Sequence, residues 1–443
     1  MATVLSIRNV TVIDGTSPAP RPHQDVEIRD GVIVAVNPTD AGEPPAGATV
    51  VDGKGKYLIP GLWDAHVHLS KAKSEALPVL VANGVTSVRD MGGDPEELRG
   101  FRDSIERGQV VGPRIRMAGP MIEAPETLER LAAQETAEDW RRTRVPVPDA
   151  GSAARIVDSI AALGVDFLKI REAATPEIYE AVANAARERG IPLAGHPPFS
   201  LDPVRGASLG LVSFEHGSYP YPLPDDSTER AGIIEAFRSS GVYLVPTLAA
   251  WETQLMDHDS LMVLVLDTAG LRNPRMRLLS PNLVHEWRVD VEDSEPKTKE
   301  NLQGWLGFFH RNAADIGVLH DAGIPMLPGT DLAGPALFPG YSLHRELELL
   351  VDAAGLSPWE ALRAATLEPA EMLGLADSVG TIRPGQAADL VLLSKDPLAD
   401  IRHARDIVGV LRRGVYYDEQ AIMRMLGGLT PLETGSLTLR QEP

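Results

Sequence analysis

Two histidines separated by one residue, His66 and His68, are the sharpest chemical feature of the sequence. They follow the mostly apolar stretch 59–65 and end a pattern that predicts a β-strand. Residues two apart in a strand point to the same face, so both imidazoles can bind one metal ion. A His-x-His pair alone is weak evidence. Its place at the end of the first strand of a strand–helix series favours a metal site.

Four further candidate metal ligands lie at the ends of later predicted strands: Lys169, His196, His216 and Asp331. A lysine is unexpected in the apolar strand that contains Lys169. A lone histidine at a strand end often has only a structural role, but six such residues on one face are improbable by chance. The chain has 0 cysteines, so any metal must be held by nitrogen and oxygen ligands.

The middle of the chain alternates predicted strands with helices, which is typical of a parallel sheet in an α/β fold. Eight such units predict a (β/α)8 TIM-like barrel over residues 58–379. The predicted strands are Leu62–His66, Thr86–Asp90, Arg114–Ala118, Asp166–Arg171, Leu193–His196, Ser213–His216, Tyr243–Thr247 and Pro325–Asp331.

Both ends of the chain show short β patterns, so we expect residues 1–57 and 380–430 to form one small β-sandwich around the inserted barrel. In the C-terminal part, the predicted strands are Gly380–Ile382, Leu390–Ser394, Ile407–Arg412 and Gly414–Tyr417. Two connections, Glu123–Asp149 and Ala249–Gly307, are long for loops at a barrel mouth. We expect at least one of them to line the substrate pocket.

The composition limits the partners of the protein. The 443 residues carry 42 Lys+Arg against 62 Asp+Glu, a formal charge of −20, which disfavours nucleic acid and anionic membrane surfaces. The N-terminus has no signal-peptide pattern, and no apolar run approaches the ~18 residues of a membrane span. A cytoplasmic enzyme that acts on a small-molecule substrate, and that forms a homo-oligomer, is therefore expected.

The ligand set resembles that of the binuclear amidohydrolase superfamily. The flanking motifs agree, and together with the ligands they cover nearly the whole chain: Ile59–Gly61, Thr86–Gly93, Leu343–Leu347, Ala361–Thr366 and Gly380–Leu393. The branch that is most similar contains imidazolonepropionase-like and prolidase-like amidohydrolases.

This resemblance implies two divalent metal ions, with Zn²⁺ favoured and Mn²⁺, Co²⁺ or Fe²⁺ compatible with the ligands. It implies that His66, His68 and Asp331 hold the first ion and that His196 and His216 hold the second. Lys169 would bridge them as a CO2-derived carbamate. A hydroxide shared by the ions would attack the substrate, and Asp331 would take its proton and pass it to the leaving amine.

Two departures from relatives bear on the reaction. Many relatives carry a second histidine two residues after the ligand on strand 5, whereas His196 is followed by Pro197, Pro198 and Phe199. This difference puts dipeptidase activity in doubt. Imidazolonepropionases lack the bridging lysine, so Lys169 argues against that reaction.

Several residues near the predicted site have both a functional and a structural interpretation. Arg171 shares a face with Lys169 and could bind a substrate carboxylate with its fork-shaped guanidinium, or form a salt bridge to Glu172 or Asp90. Tyr243 and Tyr219 could stabilise a developing oxyanion, or could only pack against neighbours.

The roles of His344 and Glu215 are inferred from the predicted helix and strand that contain them. His344 could contact Asp331 from the helix after strand 8, or pack in the core. Glu215 precedes His216 in the same predicted strand, so it is expected to point to the opposite face and to be structural.

The predicted function is hydrolysis of a C–N amide bond in an N-acyl amino acid or dipeptide-like molecule, ochratoxin-type amides included. The same metal-bound hydroxide could instead attack a lactone, carbamate, cyclic urea or organophosphate ester. A non-catalytic protein of this fold would be expected to lack some of the six ligands, and all six are present.

Overall fold

The computed structural model describes residues 4–39, 42–132, 140–198, 201–217 and 222–429. Its strands are β1 (Val4–Val12), β2 (Arg21–Arg29), β3 (Val32–Pro38), β4 (Thr49–Asp52), β5 (Tyr57–Pro60), β6 (Leu62–Val67), β7 (Val85–Asp90), β8 (Arg114–Met117), β9 (Met121–Glu123), β10 (Arg144–Pro146), β11 (Leu168–Ile170), β12 (Leu193–Gly195), β13 (Ser213–Glu215), β14 (Tyr243–Val245), β15 (Leu390–Leu393), β16 (Ile407–Arg412) and β17 (Val415–Asp418).

The helices alternate with the strands through the middle of the chain. They are α1 (Leu69–Ala72), α2 (Ala76–Ala82), α3 (Pro95–Glu106), α4 (Pro125–Ala132), α5 (Trp140–Thr143), α6 (Ala153–Ala161), α7 (Pro176–Glu188), α8 (Pro203–Ser208), α9 (Ser227–Ser240), α10 (Leu248–Thr253), α11 (His258–Val265), α12 (Pro281–Glu292), α13 (Lys299–Asp321), α14 (Tyr341–Asp352), α15 (Pro358–Ala364), α16 (Leu367–Met372) and α17 (Glu419–Met425). None of the helices in the described ranges is long and apolar enough to cross a bilayer.

Strands from the two ends of the chain form one eight-stranded mixed sheet in the order β17-β16-β15-β5-β1-β2-β3, with β4 pairing β1. The β2–β3 hairpin turns at Asp30 and Gly31, whose φ angles of 49° and 78° suit the tight turn expected there. Strands from the two ends therefore share one sheet, while the bounds of this unit and its form as a sandwich stay predictions. The predicted strand Gly380–Ile382 does not form.

The middle of the chain contains two parallel sheets, which confirms the α/β class. One has the order β6-β7-β8 and the other β10-β9-β11-β12-β13-β14. All six residues of β6 and all six of β7 are buried, as expected for parallel strands covered on both faces. The apolar side chains between these sheets and the surrounding helices form the main core.

The eighth predicted strand, Pro325–Asp331, does not form a regular ladder. Residues near it pair only at single bridges, Leu244 with Met326 and Val67 with Leu332. The stretch contains Pro325 and Pro328, which have no backbone N–H to donate, and this explains the interrupted pairing. The segment still connects the two sheets, because Leu327 N donates to Leu244 O and Asp331 N donates to His66 O, both at 2.8 Å.

Candidate metal centre

Three of the predicted ligands meet between the end of β6 and the end of the irregular stretch around Pro325–Asp331, called segment 324–332 below. Asp331 Oδ1 lies 3.4 Å from His66 Nε2 and 3.3 Å from His68 Nε2. One donor atom from each residue lies within 4.8 Å of the others, a spacing that can hold a metal ion. Asp331 has a φ of 55°, a left-handed conformation that aspartate tolerates better than most residues.

His196 and His216 form the second half of the centre, just beyond the ends of β12 and β13. Their Nε2 atoms are 3.1 Å apart, and His216 Nδ1 contacts Thr247 Oγ1 at 2.9 Å. Burial lowers the pKa of His216 to about 3 and holds the pKa of His196 well below its ordinary value. Both imidazoles are therefore neutral at physiological pH, which is the form that binds metals.

Lys169 lies among these groups with its side chain 1% exposed. Its Nζ has no hydrogen-bond partner among the described residues. Burial lowers the pKa of Lys169 to about 8, although the nearby Glu215 carboxylate opposes this shift. A buried amine that is unpartnered and partly neutral fits the expected carboxylated lysine, because the added carboxylate would supply metal-binding oxygens.

All six predicted ligands line one cavity of about 270 Å³. The rings of His66 and His216 are 5.0 Å apart between centroids, so the two halves of the centre are neighbours. The structure therefore brings together every metal ligand that the sequence indicated. The donor set of imidazoles, one carboxylate and one amine fits divalent cations such as Zn²⁺.

Glu215 lies inside this centre, contrary to the prediction that it points to the opposite face. Glu215 Oε2 accepts a hydrogen bond from His66 Nδ1 at 2.8 Å, and the carboxylate is 0% exposed. The prediction assumed that His216 continues the strand, but β13 ends at Glu215 and His216 has a φ of 71°. This break in the alternation lets both consecutive side chains reach the centre.

Arg89 holds Glu215 in place from β7. Its Nη2 donates to Glu215 Oε1 at 2.7 Å, its Nη1 to Ser213 Oγ at 2.8 Å and its Nε to Ala65 O at 2.7 Å. Burial alone would raise the pKa of Glu215, but Arg89 and His66 hold it below its ordinary value. An ionised Glu215 fixes the proton of His66 on Nδ1 and leaves Nε2 to face Asp331.

We expect Glu215→Gln to weaken metal binding about 10- to 100-fold, because glutamine loses the charge that fixes the His66 ring and balances Arg89. Competition with a chromogenic chelator measures this affinity directly. Glu346→Gln is the matched control: burial raises the pKa of Glu346 to about 8, so this side chain is already mostly neutral at pH 7. Unchanged metal affinity in a folded Glu215→Gln protein would remove the role given to this carboxylate.

Arg171 lies at the mouth of the centre, as predicted, and lines two adjoining cavities. Its ion-pair partner is neither Glu172 nor Asp90. Arg171 Nη1 donates to the buried Glu123 at 3.1 Å, and the Arg171 side chain remains 36% exposed. Arg144, from the long connection after β9, approaches the same Glu123 oxygen at 3.9 Å and also lines the smaller cavity.

Two other predicted substrate contacts lie away from the centre. Tyr243 is at the amino end of β14, where its ring packs against Ala65, Val245 and Leu327. Burial and the nearby Glu371 raise its pKa, and neither cavity at the centre is lined by this tyrosine. This placement favours the packing alternative, because the ligands gather at the carboxyl ends of the strands.

His344 and Tyr219 are the two remaining residues for which the sequence allows both a functional and a structural role. His344 Nε2 contacts Asn83 O at 3.0 Å in the core and not Asp331, so its structural alternative is the one observed. Tyr219 lies outside the described residues.

A larger cavity of about 380 Å³ opens beside the metal ligands. Its walls include Ala250, Trp251 and Gln254, which belong to the connection Ala249–Gly307. One long connection therefore lines the cavity beside the metal ligands, and its role in binding a substrate stays a prediction. Sequence reasoning missed Arg89, although a buried arginine in an apolar strand is the same kind of signal that identified Lys169.

Comparison with known proteins places these residues in a family. The model of the "Amidohydrolase family" matches residues 57–416. The chain is 26% identical to imidazolonepropionase of Geobacillus kaustophilus over 390 residues, 83% of each chain. It is 24% identical to ochratoxinase of Aspergillus niger over 403 residues, covering 78% of this chain and 72% of the relative.

A solved structure of a candidate prolidase from Bifidobacterium longum has the same overall fold. It matches with a TM-score of 0.71 and 26% identity, and the alignment covers 96% of this chain and 98% of the other. The family match spans most of the chain and contains all six predicted metal ligands. The chain belongs to the amidohydrolase family.

Proposed function

We propose that this protein is a metal-dependent hydrolase that cleaves the C–N amide bond of an N-acyl amino acid or a dipeptide-like small molecule. Family membership supports a hydrolase that acts on C–N bonds. The observation that carries the proposal is the group of six ligands around one cavity, with the Nζ of Lys169 buried and unpartnered among the described residues. Ochratoxinase and the candidate prolidase are relatives whose names agree with an amide substrate.

In this proposal His66, His68 and Asp331 would hold one divalent cation, and His196 and His216 would hold a second. Lys169, as its CO2-derived carbamate, would supply the carboxylate oxygens that complete this ligand set. The bound cations would make water a nucleophile at neutral pH and polarise the scissile carbonyl. The two parallel sheets and segment 324–332 would form the (β/α)8 barrel that positions these ligands at its carboxyl end.

Asp331 is the group that moves protons. Burial alone would raise its pKa, but His66, His68 and His216 hold the pKa well below its ordinary value. Its carboxylate is therefore ionised at neutral pH and can accept a proton from the attacking water. The side chain is 33% exposed and lines both cavities, so it can pass that proton to the leaving nitrogen.

Arg171 binds the substrate carboxylate in this proposal. Its guanidinium lines the same cavities as Asp331, and of its nitrogens Nη1 donates to Glu123 in the described part of the chain. A planar guanidinium can bind a carboxylate with two parallel hydrogen bonds. This arrangement suits an amide whose leaving group is an amino acid with a free α-carboxylate.

A panel of substrates tests the proposal. N-acyl amino acids, their α-carboxamide analogues, a lactone and a phosphotriester are compared by kcat/KM in the metal-loaded enzyme. We expect the N-acyl amino acids to be the best substrates. Arg171→Lys should raise KM strongly for them and change it little for the carboxamides, because lysine lacks the fork-shaped donor.

The panel separates the alternatives. Faster hydrolysis of the lactone or the phosphotriester would replace the proposed amidase activity with that chemistry. Equal losses on carboxylate and carboxamide substrates in Arg171→Lys would mean that Arg171 supports the site and does not bind the substrate.

A further inference from the structure

Trp251 forms one wall of the larger cavity, next to the metal ligands. Its ring is edge-on to the ring of His216, with 6.2 Å between centroids. Pro197 and Ala250 line the same cavity, whereas Arg171 and Glu172 supply charged groups to its lining. The cavity therefore offers apolar surface as well as the positively charged guanidinium of Arg171.

The ring of Trp251 packs against other aromatic rings. Trp305 on α13 stacks on it at 6.1 Å between centroids, and Phe308 lies edge-on at 4.9 Å. Packed rings of this kind present a large apolar surface. Such a surface binds an apolar group at a low cost in conformational entropy.

The backbone that carries Trp251 is tied to the metal centre. Helix α10 begins directly after Thr247, whose hydroxyl contacts His216 Nδ1. On the same helix, Glu252 forms a two-point ion pair with Arg345 of α14, at 2.8 and 2.6 Å. A displacement of Trp251 would therefore strain contacts on both sides of the helix.

We propose that Trp251 forms an apolar subsite for the acyl group of the substrate, and that the substrates are amino acids acylated with an aromatic or other bulky apolar group. This inference rests on the proposed function. With the substrate carboxylate at Arg171 and the scissile carbonyl at the ligands, the acyl group extends into the remaining part of the cavity. The 380 Å³ volume falls within the range of small-molecule sites.

The test uses two substrate series with the metal-loaded enzyme. In the first, one amino acid carries acetyl, butyryl, benzoyl or naphthoyl groups, and in the second, the acyl group stays acetyl while the amino acid varies from glycine to phenylalanine. We expect kcat/KM to rise at least about tenfold from acetyl to benzoyl in the first series. The second series should show a weaker dependence.

Variants assign this preference to the ring. Trp251→Ala should lose most of the rise across the acyl series, Trp251→Phe should keep much of it, and all variants should retain the wild-type metal content. Trp359→Ala, which truncates a half-buried tryptophan of α15 that lines neither cavity at the centre, is the control.

Failure of the apolar subsite and failure of the proposed function give different results. A wild-type acyl series without a rise, a stronger dependence in the amino-acid series, or a rise that survives in Trp251→Ala would overturn the subsite. The wild-type series decides the matter even if Trp251→Ala does not fold. Absence of hydrolysis of every N-acyl amino acid would instead reject the proposed function.

Discussion

Lys169→Ala is expected to lower kcat/KM by several orders of magnitude and to reduce the bound metal to at most one equivalent. The substitution removes the only amine among the six ligands, and with it the carboxylate that would lie between the two cations. Metal analysis and steady-state kinetics on the same preparation check both parts. Added short carboxylates such as propionate should restore part of the activity, because they can replace the missing bridge.

Stability of the metal-free protein provides a second readout for Lys169. Its Nζ is buried without a hydrogen-bond partner among the described residues, which is costly when the amine is charged. Metal-free Lys169→Met, which fills the same space with an apolar chain, should therefore unfold at a Tm no lower than that of metal-free wild type.

Lys54→Ala changes an exposed lysine near the terminal sheet and should alter none of these properties. Full activity of Lys169→Ala without added carboxylate would show that no carbamate is needed.

Asp331→Asn is expected to lower kcat roughly 10²- to 10⁴-fold while the protein stays folded. Asparagine has the shape of aspartate and also tolerates the left-handed φ of 55°, so the backbone should not change. It cannot accept the proton of the attacking water. Asp315→Asn, a buried aspartate on α13 that lines neither cavity at the centre, is the matched control.

The dependence of kcat/KM on pH shows whether the ionised form of Asp331 is the active one. A base works in its ionised form, so the wild-type kcat/KM should fall as the pH drops through an acidic limb. The pKa of that limb is a joint property of the metal, the water and the carboxylate, because these groups titrate as one coupled unit. Asp331→Asn should lose this limb or displace it. A normal rate with normal metal content in Asp331→Asn would mean that another group is the base.

The positions of the metal ligands could be predicted because a parallel strand carries a simple signal. Polar residues at the ends of apolar strands meet at one edge of the sheet, and this rule brought His66, His68 and Lys169 together. The α/β class followed from the same alternation of strands and helices.

What surrounds the ligands could not be predicted, because it depends on local departures from regular structure. A positive φ at His216 turns its imidazole to the side that Glu215 already faces, and no residue pattern predicted that break in the alternation. The ion pair of Arg171 with Glu123 joins residues 48 positions apart, so it depends on tertiary structure. Two prolines prevented regular pairing in a stretch whose position otherwise indicated a strand.

The most direct test of the central claim is the metal content of the purified protein, measured by elemental analysis beside the rate of amide hydrolysis. We expect about two equivalents of divalent metal per chain, with Zn²⁺ favoured by the imidazole and carboxylate ligands. Chelation should abolish the hydrolysis, and returning the metal should restore it. Full amidase activity in protein stripped of divalent metal would contradict the account.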